Sequence, residues 1–138
     1  MSVKKLAIGA VVGAIVLYVL GYIFFDILFL DYYEANAGVA GAGLRETQIL
    51  WAILLGTLVY GVLVAYLVGT QAGAPTVVGG LKAGAIAGFL LWGSADLIHY
   101  GFLDLWSINV AVLDIVLETL RAAVSGAVVA LVLARVPD

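Results

Sequence analysis

Residues Leu6–Phe25 have the sequence LAIGAVVGAIVLYVLGYIFF, in which no side chain carries a charge. A helix that crosses the hydrocarbon core of a bilayer needs ~20 predominantly apolar residues. The stretch therefore predicts a transmembrane helix that begins after Lys4 and Lys5 and runs to about Leu30. Because the apolar run is longer than the ~7–15 residues of a signal-peptide core, we expect it to be retained rather than cleaved.

Three further apolar stretches follow the first one. The predicted helices span residues 6–30, 47–68, 79–103 and 108–134. The Ala/Gly-rich segment 35–43 predicts a loop, the segment 69–76 predicts a turn at Gly73 and Pro75, and the segment 104–109 predicts a short hairpin. Since these elements account for nearly the whole chain, we expect a single transmembrane domain over residues 1–138.

The composition makes lipid the solvent for most of the surface. Hydrophobic residues are 65% of the chain and charged residues 11%, with a mean hydropathy of +1.22. A soluble domain has about a quarter charged residues. The fold class is therefore predicted as an all-α membrane protein, a four-transmembrane-helix bundle. The absence of cysteine excludes disulfides and thiolate metal sites, and six basic residues at a net charge of −3 predict no nucleic-acid partner.

The distribution of basic residues predicts the orientation. Short loops on the cytoplasmic side carry an excess of lysine and arginine. If both termini are cytoplasmic, that side holds four basic residues, namely Lys4, Lys5, Lys82 and Arg135, whereas the other side holds Arg45. We therefore expect a multi-pass protein of the cell (inner) membrane with both termini cytoplasmic. An outer aromatic belt is predicted at Tyr32, Tyr33, Trp51 and Trp106.

A weak internal repeat accompanies the helices. The tripeptide Phe-Leu-Asp at residues 29–31 occurs again at residues 102–104, and Glu46-Thr47 is repeated as Glu118-Thr119. One interpretation is a pair of pseudo-repeated helical hairpins, related by an axis along the membrane normal, as in transporter folds. The other is a chance match in an apolar chain of low diversity.

The fourth predicted helix carries three ionisable residues, whose insertion into a bilayer is energetically unfavourable. Asp114, Glu118 and Arg121 have the spacing i, i+4 and i+7, which places them on one helix face. A charged side chain at the centre of a spanning helix costs ~2.5–3.5 kcal/mol on insertion scales. Ionisable residues in this position are functional candidates by default.

The other helices add charges at a similar depth. Asp96 and His99 lie in the second half of the third predicted helix, and Asp26 lies late in the first. Because successive helices run in opposite directions, all of these residues fall in the outer half of the bilayer. With the four carboxylates ionised (−4) and Arg121 charged (+1), the cluster carries −3 when His99 is neutral. Protonation, water or a bound cation must compensate that charge.

Three functions are compatible with this cluster. The first is a site open to the outside that binds or conducts a cation, a proton or a small ligand, made of Asp26, Asp96, His99, Asp114, Glu118 and Arg121. The second is a structural subunit or scaffold, in which Glu118 pairs with Arg121 and Asp96 with His99 only to fix helix register. The third is a membrane enzyme acting on a lipid or quinone, with catalytic residues unknown. A metal held by Asp96, His99 and Glu118 is a further possibility, since hard carboxylate oxygens and imidazole nitrogens both bind metal ions.

Small residues form the second notable pattern. Gly9 and Gly13 in the first helix, and Gly84 and Gly88 in the third, have the spacing that allows membrane helices to approach closely. These faces predict either a homo-oligomer or close packing within one chain.

The first helix also resembles a known family. Gly21-Tyr22-Ile23-Phe24-Phe25 followed by Leu28-Phe29 resembles the first-helix signature of small, uncharacterised four-helix prokaryotic membrane proteins. That signature has a glycine, a Trp-Tyr pair and a proline before Leu-Phe; here Phe24-Phe25 takes the place of the pair, and Asp26 departs from the pattern. The glycine-rich stretch 81–88 is similar as well. The resemblance implies a four-helix architecture and no particular activity.

Overall fold

The computed structural model describes residues 1–137 and is all α-helical in its regular elements. In this part of the chain there are five α-helices: α1 (Val3–Gly21), α2 (Leu30–Ala35), α3 (Leu50–Gly69), α4 (Val77–Phe102) and α5 (Ile108–Leu133). A π-helix, Tyr22–Leu28, continues α1, and a short 3-10 helix spans Val39–Gly43.

Four of the helical segments are long and apolar enough to cross a membrane. They are Val3–Leu28, Leu50–Gly69, Val77–Phe102 and Ile108–Leu133. Large apolar side chains on their outer faces, such as Leu90, Phe102 and Trp51, are more than half exposed, as expected where lipid is the solvent. The predicted four-helix bundle is confirmed, with helix ends that differ from the predicted ones by a few residues.

Hydroxyl side chains set the starts of three of the long helices. The Ser2 hydroxyl accepts a hydrogen bond from the Lys5 amide, the Thr76 hydroxyl from the Gly79 amide, and the Ser107 hydroxyl from the Val110 amide. Each bond satisfies one of the amides that the first helical turn leaves without a backbone partner.

The half of the bundle that contains Val3 and Leu133 is closely packed, and we call it the packed half. Helix α1 lies against α3 and α5, and α4 lies mainly against α5. Its core is made of small and branched apolar residues such as Val64, Val129 and Ala130. The Ser125 hydroxyl donates to the Gly13 carbonyl oxygen, with 3.1 Å between the two atoms.

The four glycines predicted for an oligomer interface are buried inside the chain. A Cβ added to Gly9 would lie 2.9 Å from the Ala65 Cβ, and one added to Gly13 would lie 3.2 Å from Val129. Gly84 and Gly88 are pressed against the backbone of α5. These faces therefore serve packing within the chain, which is one of the two predicted alternatives. A homo-oligomer stays a prediction and would need another surface.

The opposite half holds an element that the sequence did not predict. Helix α1 and its π extension end at Phe29, where the backbone leaves helical geometry, and α2 starts as a separate helix. Residues 31–34 therefore belong to this separate helix, and the predicted loop 35–43 contains the 3-10 helix. We call residues 30–44 the roof, because they cover the end of the bundle opposite Val3 and Leu133.

The roof is attached to the connection between α4 and α5. Ala37 and Trp106 form an isolated antiparallel bridge. The Gly38 amide donates to the Leu105 carbonyl oxygen at 2.8 Å, and the Val39 amide donates to the Asp104 carboxylate at 3.0 Å. The two copies of the Phe-Leu-Asp tripeptide thus lie at the same end of the bundle, while the symmetry axis of the predicted repeat stays a prediction.

Candidate functional site

A cavity of about 840 Å³ lies beneath the roof, between the π-helix, α4 and α5. Five of the six predicted site residues line it, namely Asp96, His99, Asp114, Glu118 and Arg121. The i, i+4 and i+7 positions of α5 point into it as one face, as their spacing predicts. We call it the polar cavity.

Asp96 and Asp114 are two buried carboxyl groups that line the polar cavity. Asp96 is 3% exposed and Asp114 is 6% exposed. Both groups line the same cavity, and two ionised carboxylates in one buried site are costly unless one of them carries a proton. The Asp96 Oδ2 atom is buried and has no hydrogen-bond partner. A buried polar atom without a partner is rare in native proteins and calls for an explanation.

Tyr33 of the roof contacts this pair, a role that the sequence did not reveal. Its hydroxyl donates to Asp114 Oδ1 in a short hydrogen bond. Burial raises the pKa of the Tyr33 hydroxyl far above its ordinary value, and the hydrogen bond to Asp114 and nearby carboxylates raise it further. The hydroxyl therefore remains a donor. Tyr33 had been predicted as part of an interfacial belt, because nothing local signals that the chain folds back over the bundle after Phe29.

Arg121 is held by four groups from three helices. Its Nε donates to Glu118 Oε2 at 2.7 Å, and its Nη1 donates to the Leu17 carbonyl oxygen at 3.0 Å. The guanidinium carbon lies 5.4 Å from the centre of the Phe25 ring and 5.7 Å from that of Tyr60, within the range of cation–π interactions. The predicted Glu118–Arg121 ion pair is present, and it fixes both side chains.

Gly21 makes the contact to Leu17 possible. A Cβ at this position would collide with the Arg121 guanidinium. The π-helix starts at the next residue, Tyr22. Insertions of this kind within a helix are often found at functional sites.

Two predicted members are exposed, and one of them lies outside the polar cavity. Asp26 is exposed and lines a separate cavity of about 260 Å³ together with Tyr18 and Gln48. This cavity adjoins the polar cavity, since Phe25 and Arg121 line both. His99 lines the polar cavity at an exposed position, with its ring centre 6.0 Å from that of Phe102.

Two predicted interactions of His99, a hydrogen bond to Asp96 and a shared metal site, are absent from the described residues. No hydrogen bond joins Asp96 to His99 within residues 1–137, so that predicted pair is corrected. The same part of the chain contains no group of three or more His, Cys, Asp or Glu side chains placed to hold a metal ion. The hypothesis of a metal bound by Asp96, His99 and Glu118 therefore lacks support from the geometry.

Aromatic residues form much of the remaining wall of the polar cavity. Phe25, Tyr33, Trp92 and Trp106 all line it. The Tyr33 ring packs edge-on with Phe25 at 5.7 Å and with Trp106 at 5.6 Å between ring centres. Trp106, predicted in the aromatic belt, is thus part of the cavity.

Two further unpartnered polar atoms belong to Trp92, which lines the polar cavity, and to Tyr60 of α3. The Trp92 indole nitrogen and the Tyr60 hydroxyl are both buried without a hydrogen-bond partner, and their ring centres are 6.4 Å apart. The sequence did not indicate Tyr60, which lies in an uncharged helix.

Comparison with known proteins identifies no relative. The chain matches no protein-family model, no curated protein and no solved structure. The resemblance of the first helix to small four-helix membrane proteins therefore receives no support from these comparisons, and the site has to be interpreted from its own chemistry.

Proposed function

We propose that this chain is a small multi-pass membrane protein that binds a cation or a proton in the polar cavity, from the side of the membrane opposite its termini. One observation carries the proposal. Asp96 is almost completely buried, its Oδ2 has no hydrogen-bond partner, and it faces a cavity large enough for a ligand. A bound cation would supply the missing partner, and a proton would remove the buried negative charge.

The charge distribution supports the proposal. Asp96, Asp114 and Glu118 are buried, and Arg121 compensates Glu118 directly. A shared proton would leave the pair of Asp96 and Asp114 with one negative charge. A buried carboxylate without a counter-charge is costly enough that proteins normally neutralise it. A cation from outside is one way to do so.

The packing supports access from one side. The polar cavity lies at the end of the bundle with the roof, whereas the packed half has an apolar core. With the basic residues Lys4, Lys5, Lys82 and Arg135 on the cytoplasmic side, the roof would face outward. A polar cavity at one end and an apolar core at the other favour a binding site over a continuous ion pathway through the membrane.

A thermal unfolding assay in detergent tests cation binding. We expect at least one member of a panel of sodium, potassium, magnesium, calcium and alkylammonium chlorides to stabilise the wild type, by about 2.7 kcal/mol at a hundred times its dissociation constant. Asp96→Asn should fold and lose this response. Asp26→Asn, outside the polar cavity, is the matched control and should respond as the wild type does.

Infrared spectroscopy tests the proton. The wild type should show the carbonyl stretching band of a protonated carboxylic acid, which ionised carboxylates lack, and Asp96→Asn should lose it. A wild type without this band and without stabilisation by any cation of the panel contradicts the proposal.

The structural-subunit alternative is favoured by one observation, the fixed ion pair of Glu118 and Arg121. It predicts that Asp96→Asn is as stable as the wild type and that neither responds to any cation.

A further inference from the structure

We infer that the ligand of the polar cavity is an organic ammonium ion with an apolar substituent, rather than a bare metal ion. The inference rests on the proposed function, because it names the ligand class of the same site. It is carried by the size of the cavity, by its aromatic wall and by the arrangement of its carboxyl groups.

The size of the cavity favours an organic ligand. Small-molecule sites are typically ~300–1,000 Å³, and the polar cavity has about 840 Å³. An inorganic cation would fill a small part of that space and would leave the apolar wall in contact with water. An ammonium ion that carries a ring or an alkyl chain would cover this wall and remove it from water.

The aromatic wall favours a positive charge on that ligand. Tyr33, Trp92 and Trp106 line the same cavity as the carboxyl pair. Aromatic faces attract ammonium groups, with tryptophan the strongest, and they recognise quaternary ammonium ligands in particular. The cavity already contains one such interaction, since the Arg121 guanidinium lies over Phe25 at 5.4 Å.

The carboxyl groups provide charge without a metal-binding geometry. Within residues 1–137 no three acidic or imidazole groups are placed around one ion. Glu118 is paired with Arg121, so Asp96 and Asp114 remain available to a ligand. Of these two carboxyl groups, Asp96 has the buried oxygen without a hydrogen-bond partner. One carboxylate beside aromatic rings is sufficient for a monovalent ammonium ion, whereas a divalent metal ion needs more oxygen ligands than this.

The experiment uses benzyltrimethylammonium as the probe and neopentylbenzene as its neutral analogue of the same shape. Binding to the full chain in detergent is followed by calorimetry and by tryptophan fluorescence. We expect benzyltrimethylammonium to bind at least ~10-fold more tightly than neopentylbenzene, because a desolvated cation–π contact alone contributes ~2 kcal/mol.

Three variants locate the site. Asp96→Asn and Asp114→Asn should each weaken benzyltrimethylammonium binding by ~10-fold or more, and Trp92→Leu by ~3- to 30-fold. Trp51→Leu is the matched control, since Trp51 is 71% exposed on the outer surface of α3, and its affinity should equal that of the wild type.

Each contrary result has a defined meaning. Equal affinity for the two probes shows a merely apolar cavity and overturns the inference, without requiring any variant to fold. Unchanged affinity in both folded Asp variants overturns it as well. If inorganic cations stabilise the wild type, or the protonated-acid band is present, while benzyltrimethylammonium does not bind, this inference fails and the proposed function stands. No response to any of these probes overturns both.

Discussion

The packed half and the cavity half of this bundle are built from the same four spans in opposite ways. In the packed half, glycine and alanine bring the helix backbones together, as where Gly84 lies against the backbone of Ala122. In the cavity half, α1 changes to a π-helix, and aromatic rings and buried carboxyl groups line a cavity of about 840 Å³. The comparison indicates that close packing in the packed half stabilises the bundle. The cavity half instead buries carboxyl groups around an open space, which lowers stability.

Arg121 connects the two halves. It lies between the core residue Leu17 and the polar cavity, and it pairs with Glu118. Its substitution is therefore the most disruptive single change that we expect.

Arg121→Met should lower the free energy of unfolding by about 3–5 kcal/mol, because it leaves the buried Glu118 carboxylate without its counter-charge. The double variant Glu118→Gln/Arg121→Met should recover much of the loss. Reversible unfolding in mixed detergent micelles measures both. Equal losses in the single and double variants would show that the ion pair is not what couples the halves.

Gly84→Ala tests the packed half. The added Cβ would collide with the Ala122 carbonyl oxygen, so we expect a loss of about 3 kcal/mol. Gly56→Ala is the matched control, because nothing lies within 4 Å of a Cβ there, and it should gain up to ~1 kcal/mol from helix propensity. If the two substitutions have the same effect in the same unfolding assay, close packing is not the source of stability in this half.

Tyr33→Phe tests the roof and has the smallest expected effect. It removes a hydrogen bond to a charged partner and should cost about 1.5–3 kcal/mol at neutral pH. The pKa of Tyr33 is raised in the folded protein from the ordinary 10.0. Its contribution is therefore fully present below pH ~10 and is lost as the pH rises above that value.

The stability difference between the wild type and Tyr33→Phe should accordingly shrink in alkaline buffers. Tyr32→Phe, which alters an exposed tyrosine of the same helix, is the control. A difference that stays constant from neutral to strongly alkaline pH would contradict burial of the Tyr33 hydroxyl.

The sequence predicted what depends on regular helical geometry. The four spans follow from apolar length, and the shared face of Asp114, Glu118 and Arg121 follows from their spacing on one uninterrupted helix. Asp96 was found for the same reason.

Departures from regular geometry were beyond prediction. Asp26 lies in the π-helix Tyr22–Leu28, where the regular helical spacing no longer applies. Tyr33 reaches Asp114 across 81 residues of sequence, through a chain reversal at Phe29 that no proline or glycine marks. The glycine patterns showed that helices approach closely, but not whether the neighbour belongs to the same chain.

The backbone pairing between the roof and the α4–α5 connection bears on how a ligand could enter. The amides of Gly38, Ala40 and Ser107 donate to carbonyl oxygens across this seam at 2.8, 2.7 and 3.1 Å. Since these bonds are adjacent, separating the roof from the connection breaks them together. The three amide hydrogens should therefore exchange with solvent deuterium as one cooperative unit, at a rate that reports how often the cavity opens.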